Sequence, residues 1–195
     1  MRTTATESVP PSTPKRDRLL DTAYRLFYRD GYHAVGIDTI LAEAGLAKMT
    51  LYHHFSSKEE LIVAALERRG QAIASAIMAA VEGAGSSPRK RLLALFDWYE
   101  HWFKSKDFNG CGFIRAAGEY TELASPVHQV VTRRKQASRA LLEKVLTDLD
   151  VTSPKTLAGQ IQLLLEGAIV MAHISGNPDT ILLAREAALA LVKTA

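Results

Sequence analysis

The chain has 195 residues, 47% of them hydrophobic, with a formal net charge of +3 and one cysteine. This apolar content excludes an intrinsically disordered chain, and one cysteine excludes a disulfide framework or a multi-cysteine zinc site. A charge of +3 means that binding to a polyanion would require locally clustered basic residues.

The N-terminal residues 1–14 are rich in threonine, serine and proline and lack the apolar segment of a signal peptide, so we expect a disordered arm. The longest apolar stretch, residues 161–174, is too short to span a bilayer and contains Glu166. The sequence therefore predicts a cytoplasmic protein that does not enter a membrane.

From Lys15 to the C terminus, hydrophobic residues recur with the period of an α-helix, and no segment alternates like a half-buried strand. Glycine and proline residues mark the boundaries between the helical segments. The sequence therefore predicts an all-α fold of about nine helices. The predicted spans are 15–30, 37–44, 48–54, 57–83, 88–105, 111–121, 125–149, 153–175 and 178–193.

The second and third predicted helices are short and are joined by a three-residue turn that begins with Gly45. A helix of two turns is marginal in water by itself, so 48–54 must pack on its neighbours through Leu51 and Phe55. Two short helices joined by a tight turn are typical of a helix-turn-helix, whose second helix enters the major groove of DNA.

A capping box follows this motif. Ser57 and Glu60 have the S-x-x-E spacing in which the serine caps a helix and the glutamate bonds back to the preceding backbone. A long helix is therefore expected to begin just after the third one. Its positive N-terminal end and Lys58 suit a phosphate group.

Residues 50–61 read T-L-Y-H-H-F-S-S-K-E-E-L, and Gly31-Tyr32 and Ala42-Glu43-Ala44-Gly45 precede them. Over about 17–61, roughly a quarter of the chain, the sequence resembles the TetR/AcrR family of bacterial transcriptional regulators. Every fixed position of the family pattern T-L-Y-x-H-F-x-x-K-E-x-L is present. The resemblance implies an N-terminal three-helix helix-turn-helix domain (15–62) and a larger C-terminal helical domain for ligand binding and dimerisation (63–195).

The resemblance also implies which side chains face DNA. The candidates are Thr39, Lys48, Met49, Thr50, Tyr52, His53 and Lys58. The family usually has serine where this chain has Ala47, and often serine or threonine where it has Val35-Gly36; those hydroxyls cap helices and touch phosphates. Since adjacent helical side chains diverge and no further ligand accompanies His53 and His54, no metal site is expected.

The last two predicted helices carry wide apolar faces that must be buried on two sides. In the TetR/AcrR family these helices pair with their copies across a two-fold axis, which implies a homodimer. The alternative is that they close a monomeric core. The candidate dimerisation residues are Ile161, Leu164, Leu165, Ala168, Ile181 and Leu189.

Family members bind small effectors among their middle helices, where this chain has Trp98 and Trp102 one turn apart. An aromatic wall favours a small, largely apolar effector, although the same residues can fill an ordinary core. Cys111, at a predicted helix start, is either a redox or electrophile sensor or a small core residue. The candidate effector-binding residues are Trp98, Tyr99, Trp102, Phe103, Cys111, Phe113, Tyr120, His128 and Met171.

The implied function is a homodimeric transcriptional regulator, most often a repressor, that leaves a near-palindromic operator when an effector binds. A small helical enzyme is one alternative, but the sequence has no nucleophile–base pair, glycine-rich phosphate loop or metal-ligand spacing. We therefore expect no catalytic residue and no cofactor. A helical adaptor that does not bind DNA is the other alternative.

Overall fold

A computed structural model describes residues 13–194, and within this range the chain forms nine α-helices and no β-strand. The predicted all-α class is confirmed, and the predicted helix ends differ from the observed ones by at most two residues. The helices are α1 (Pro14–Asp30), α2 (Ile37–Ala44), α3 (Lys48–His54), α4 (Lys58–Gly83), α5 (Pro88–Phe103), α6 (Gly112–Glu119), α7 (Pro126–Thr147), α8 (Pro154–Ser175) and α9 (Thr180–Thr194).

The N terminus of α1 meets the predicted disordered arm, of which residues 1–12 lie outside the described range. Thr13 caps α1, since its hydroxyl accepts a hydrogen bond from the backbone N–H of Arg16 at 3.3 Å. The helix therefore starts at Pro14, one residue before its predicted start.

Local backbone chemistry sets the ends of the helix-turn-helix. Gly45 ends α2 in the left-handed conformation (φ 60°), and a β-carbon there would lie 2.7 Å from Arg18 Nη2. Ser57 caps α4 by accepting from the Glu60 N–H at 3.1 Å. The Glu60 carboxylate accepts from the Ser56 N–H at 2.7 Å, one residue earlier than the capping box predicts.

Two apolar cores lie along α4. The first is formed by α1–α4 with α6 and α7, and includes Phe27, Leu51, Leu66 and Val127. The second is formed by α4, α5 and α7–α9. Because α4 is continuous from Lys58 to Gly83, the predicted domain boundary between residues 62 and 63 falls inside it. The division into domains at that point stays a prediction.

We expect Ala47→Ser to raise the free energy of unfolding by about 1 kcal/mol. Ala47 is the N-cap of α3 and offers no side-chain hydrogen bond, whereas its extended backbone (φ −75°, ψ 152°) suits a capping serine. Urea and thermal denaturation followed by circular dichroism measure the change. The matched Ser57→Ala removes an existing cap and should lower stability by a similar amount. Equal stability of Ala47→Ser and the parent would contradict the assignment.

Candidate nucleic-acid interface and internal cavity

The short helix α3 is held by its inner face and presents its outer face to solvent. Leu51 and Phe55 are buried in the first core. Met49 is 79% exposed and Tyr52 48% exposed, and His53 is also exposed. Tertiary packing thus supplies the stability that seven residues cannot supply alone, and it leaves the outer face free.

None of the seven predicted DNA-facing residues is buried. Thr39 lies exposed on α2, Thr50 is half-buried on α3, and Lys48 Nζ lies 3.4 Å from Asp38 Oδ1 at the surface. Lys58 Nζ donates to the His33 carbonyl at 3.2 Å, and burial lowers the pKa of this lysine. The structure therefore places all seven on the helix-turn-helix and the first residue of α4.

The two departures from the family pattern have a structural consequence. Gly36 and Ala47 are the N-caps of α2 and α3, and neither makes a side-chain cap hydrogen bond. The first N–H groups of both helices are therefore left without a side-chain cap. The His53 and His54 rings lie 4.9 Å apart, but the described residues contain no group of three or more His, Cys, Asp or Glu placed to hold a metal ion.

A small, partly enclosed cavity of about 80 Å³ lies between α4, α5, α6 and α7, with the exposed Ala137 and Ser138 on its rim. Its polar groups are few. Burial raises the pKa of Tyr99, so this hydroxyl stays neutral, and Lys135 Nζ is bonded to both carboxylate oxygens of Glu166 at 2.6 Å. The lining residues are Gly70, Ile73, Ala74, Ile77, Leu95, Tyr99, Phe113, Arg134, Lys135, Ala137, Ser138, Leu141 and Leu142.

Of the nine predicted effector-binding residues, only Tyr99 and Phe113 line this cavity. Trp98 and Trp102, which were expected to form an effector wall, do not line this cavity, because both indoles pack into an aromatic cluster; their role in effector binding stays a prediction. The centroids of Trp98 and Trp102 are 6.1 Å apart, and Trp102 lies 5.1 Å from Phe108. A helical period shows that a face is buried, but not which gap it borders.

The other predicted effector residues also lie away from the cavity wall. Phe103 belongs to the second core and to the aromatic cluster. Cys111 is half-buried with its Sγ 3.5 Å from Lys135 Nζ. His128 bonds the Tyr120 carbonyl at 2.8 Å, and Met171 is 53% exposed on α8.

Sequence reasoning missed the cavity residues on α4 and α7. Gly70 and Ala74 are four residues apart on α4, and Ala137 faces them from α7. A β-carbon at Gly70 would lie 2.6 Å from Arg134 Cδ, so the glycine leaves room for the Arg134 side chain of α7. Small residues at helical spacing were the signal available in the sequence.

A polar junction ties the end of α1 to α6 and the loop before it. Tyr28 Oη accepts from the Asn109 N–H at 2.7 Å and donates to the Gly110 carbonyl at 2.9 Å. The Glu119 carboxylate accepts from the N–H groups of Tyr32 (3.0 Å) and His33 (2.6 Å). These bonds connect both ends of α6 to the end of α1 and to the segment that precedes α2.

An exposed apolar face covers parts of α8 and α9, which pack against each other. Its members are large hydrophobic residues that remain 38–75% exposed: Leu163, Val170, Met171 and Ile174 on α8, and Leu182 and Leu183 on α9.

This face is not the predicted one. Of the six predicted dimerisation residues, Ile161, Leu165, Ala168 and Ile181 are buried in the second core. Leu164 and Leu189 are partly buried against the same core. Four of the six are therefore covered within one chain, because α8 is apolar on several sides and the second core buries that stripe; the dimerisation role of the six stays a prediction.

Among the described residues, α8 is also the one helix long and apolar enough to cross a membrane by length and composition. Buried positions make up 39% of its most apolar window, and the helix packs on α7 and α9. The core helix of a water-soluble fold meets the same criteria, so this finding is weak evidence for a membrane span.

Two family profiles match the chain. The profile described as "Bacterial regulatory proteins, tetR family" matches residues 19–65, and "Tetracyclin repressor-like, C-terminal domain" matches residues 88–188. The second profile alone covers more than half of the chain. The chain therefore belongs to the TetR family of bacterial regulatory proteins, as the motif at 50–61 predicted.

Individual relatives agree with this assignment. A crystal structure of a TetR-family transcriptional regulator from Streptomyces coelicolor is 30% identical, with a TM-score of 0.86, and the match covers 93% of this chain and 90% of that one. The reduced form of Escherichia coli NemR is 26% identical, with a TM-score of 0.82 and coverages of 93% and 96%.

A further relative is the HTH-type transcriptional activator FasR of Mycolicibacterium smegmatis. It is 40% identical over 95 residues, which span 47% of this chain and 43% of FasR. From the family and the fold, the protein is a DNA-binding transcriptional regulator with a helix-turn-helix, and not an enzyme.

Proposed function

We propose that this protein is a homodimeric repressor that binds a near-palindromic operator and leaves it when a small, largely apolar effector enters the cavity. One observation carries the proposal: α4 is a single helix that begins beside α3 and forms the cavity wall at Gly70, Ile73, Ala74 and Ile77. The cavity and the DNA-facing surface therefore share one rigid element.

In this proposal α3 is the recognition helix. Tyr52 and Met49 are its most prominent exposed side chains, and Lys48 begins it. Tyrosine and lysine reach phosphates and base edges in the major groove, and Lys58 retains N–H donors for a phosphate beside its bond to the His33 carbonyl. Because the net charge is only +3, operator binding depends more on the spacing of two recognition helices than on overall electrostatic attraction between protein and DNA.

The size of the cavity supports a release mechanism. A cavity of about 80 Å³ is smaller than the roughly 150 Å³ that holds benzene in an engineered site. An effector must therefore separate α4 from α5 and α7, and it binds best to the separated arrangement. By linkage, the effector can lower the affinity for DNA only by the factor by which it binds the separated arrangement more tightly than the closed one.

The exposed apolar face of α8 and α9 supports the dimer. Leu163 and Ile174 are 75% and 71% exposed, which is costly for leucine and isoleucine in water. Pairing this face with its copy across a two-fold axis buries it in both chains and sets the spacing of two recognition helices.

We propose that the protein represses transcription and does not activate it. Among the relatives, NemR is named a repressor and matches 67% of this chain, whereas FasR is named an activator and matches 47%. Because the protein acts on DNA, we place it in the cytoplasm.

Selection of bound sites from random duplex DNA should yield near-palindromes with half-sites about one helical turn apart or a multiple of it. The variant Lys48→Ala/Tyr52→Ala should bind the selected site at least about tenfold more weakly, because it loses contacts from α3. Lys90→Ala, which removes the same charge from the exposed start of α5, should bind as the parent does. Unchanged affinity of the double variant would refute the recognition-helix assignment.

A leucine at position 74 should occupy the cavity and block the effector. For any apolar compound that releases the parent from its operator, Ala74→Leu should need at least about tenfold more compound, with operator affinity in its absence unchanged. Ala76→Leu, on the exposed side of α4, is the matched control. Release of Ala74→Leu at the parent's concentration of compound would place the effector elsewhere.

Leu163→Glu should convert the dimer to monomers, because it puts a charge in the middle of the apolar face. Leu123→Glu, which changes a leucine that is 77% exposed outside this face, should leave the dimer intact. Sedimentation velocity distinguishes the two species. A parent protein that sediments as a monomer at micromolar concentration would overturn the proposed dimer.

A further inference from the structure

An open groove of about 840 Å³ lies where α1 and α4 meet the segment that links α5 to α6. It shares no lining residue with the small cavity, and its volume lies within the roughly 300–1,000 Å³ typical of small-molecule sites. The lining residues are Tyr24, Arg25, Tyr28, Arg29, Arg69, Trp102, Ser105, Lys106, Asp107, Phe108 and Asn109.

The groove is cationic, and one of its arginines has no carboxylate partner. Arg25 is paired with Glu43 at 2.8 Å, and Arg29 with Asp30 at 2.7 Å. Arg69 forms no ion pair with any described residue, and its Nε is buried with no hydrogen-bond acceptor. Burying a guanidinium N–H without an acceptor costs free energy, and an anion that accepts hydrogen bonds from the guanidinium would offset this cost.

The second free cation is Lys106, at the exposed rim. It forms no ion pair within the described part of the chain, and Asp107 beside it is the one carboxylate that lines the groove. Burial raises the pKa of Tyr24 to about 12, so its hydroxyl adds no negative charge at neutral pH. The interior of the groove therefore favours a single negative group at Arg69.

Flat aromatic walls flank this arginine. The rings of Tyr24 and Tyr28 are stacked, with centroids 5.8 Å apart, and the Arg69 guanidinium lies 5.4 Å from the Tyr24 centroid. Trp102, which also lines the groove, meets Phe108 edge-on with ring centroids 5.1 Å apart.

We propose that this groove is a second ligand site and binds a small aromatic monocarboxylate. The carboxylate pairs with the Arg69 guanidinium, whose fork suits two parallel N–H···O bonds, and the ring packs between the tyrosines of α1 and the indole of Trp102. A neutral aromatic ligand would give the Arg69 guanidinium no anionic partner. A ligand with several negative charges would have more charges than the one interior cation without an ion pair can neutralise. The site lies beyond the apolar effector cavity of the proposed function.

Isothermal titration of the full chain with 1-naphthoate, without DNA, tests the proposal. We expect saturable binding with quenching of tryptophan emission, and at least about tenfold weaker binding of the neutral isostere 1-naphthamide. Arg69→Gln should weaken naphthoate binding by about tenfold or more. Arg68→Gln is the matched control, since it removes the adjacent charge, which is exposed and already bonded to Asp17 and Asp21.

Two further measurements test the proposal. Ala74→Leu should bind naphthoate as the parent does, which separates this groove from the small cavity. Should Arg69→Gln fail to fold, added salt must weaken naphthoate binding to the parent far more than naphthamide binding. No binding up to about 1 mM, equal affinity for the two compounds, or unchanged binding to a folded Arg69→Gln would overturn the proposal. None of these outcomes depends on operator binding, so they leave the proposed repressor function untouched.

Discussion

The close contact between the tyrosines of α1 and the start of α6 adds a polar tie to the packing of the helix-turn-helix on α4. Gly112 permits it, because a β-carbon there would lie 2.9 Å from Tyr24 Oη. Tyr28 and Tyr32 donate to the carbonyls of Gly110 and Gly112. Separating the two helices would leave buried polar groups without partners, which costs more than the bonds contribute when made. α6 therefore helps to hold α1, on which α3 packs.

The cavity of about 80 Å³ lies between helices that also contact the helix-turn-helix. Protein interiors are close-packed, so a ligand larger than this gap must move helices and cannot simply fill space. Phe113 of α6 and Gly70 of α4 both belong to the wall. Both elements also contact the helix-turn-helix, α6 through the junction at Glu119 and α4 through its capped start beside α3.

Two neighbouring arginines of α4 differ in whether their charge is paired, and this difference distinguishes a structural role from a binding role. Arg68 bonds two aspartates of α1, Asp17 and Asp21, and thereby joins α4 to it. The neighbouring Arg69 turns to the groove and has no carboxylate partner in the described range. Exposed ion pairs contribute little to stability, so the first arginine chiefly orients surfaces. The second retains its charge for a ligand.

The sequence alone predicted the nine helices of the described range, the turn at Gly45, the cap at Ser57 and the family, because these depend on local backbone geometry and on one contiguous motif. It also assigned the outer face of α3 to DNA, which stays a prediction. Only the tertiary structure decided which stripe of α8 remains exposed and which residues line the cavity. An all-round apolar helix offers several equivalent faces, as Leu163 and Leu165 illustrate, and a cavity is a gap whose position depends on how helices distant in sequence cross.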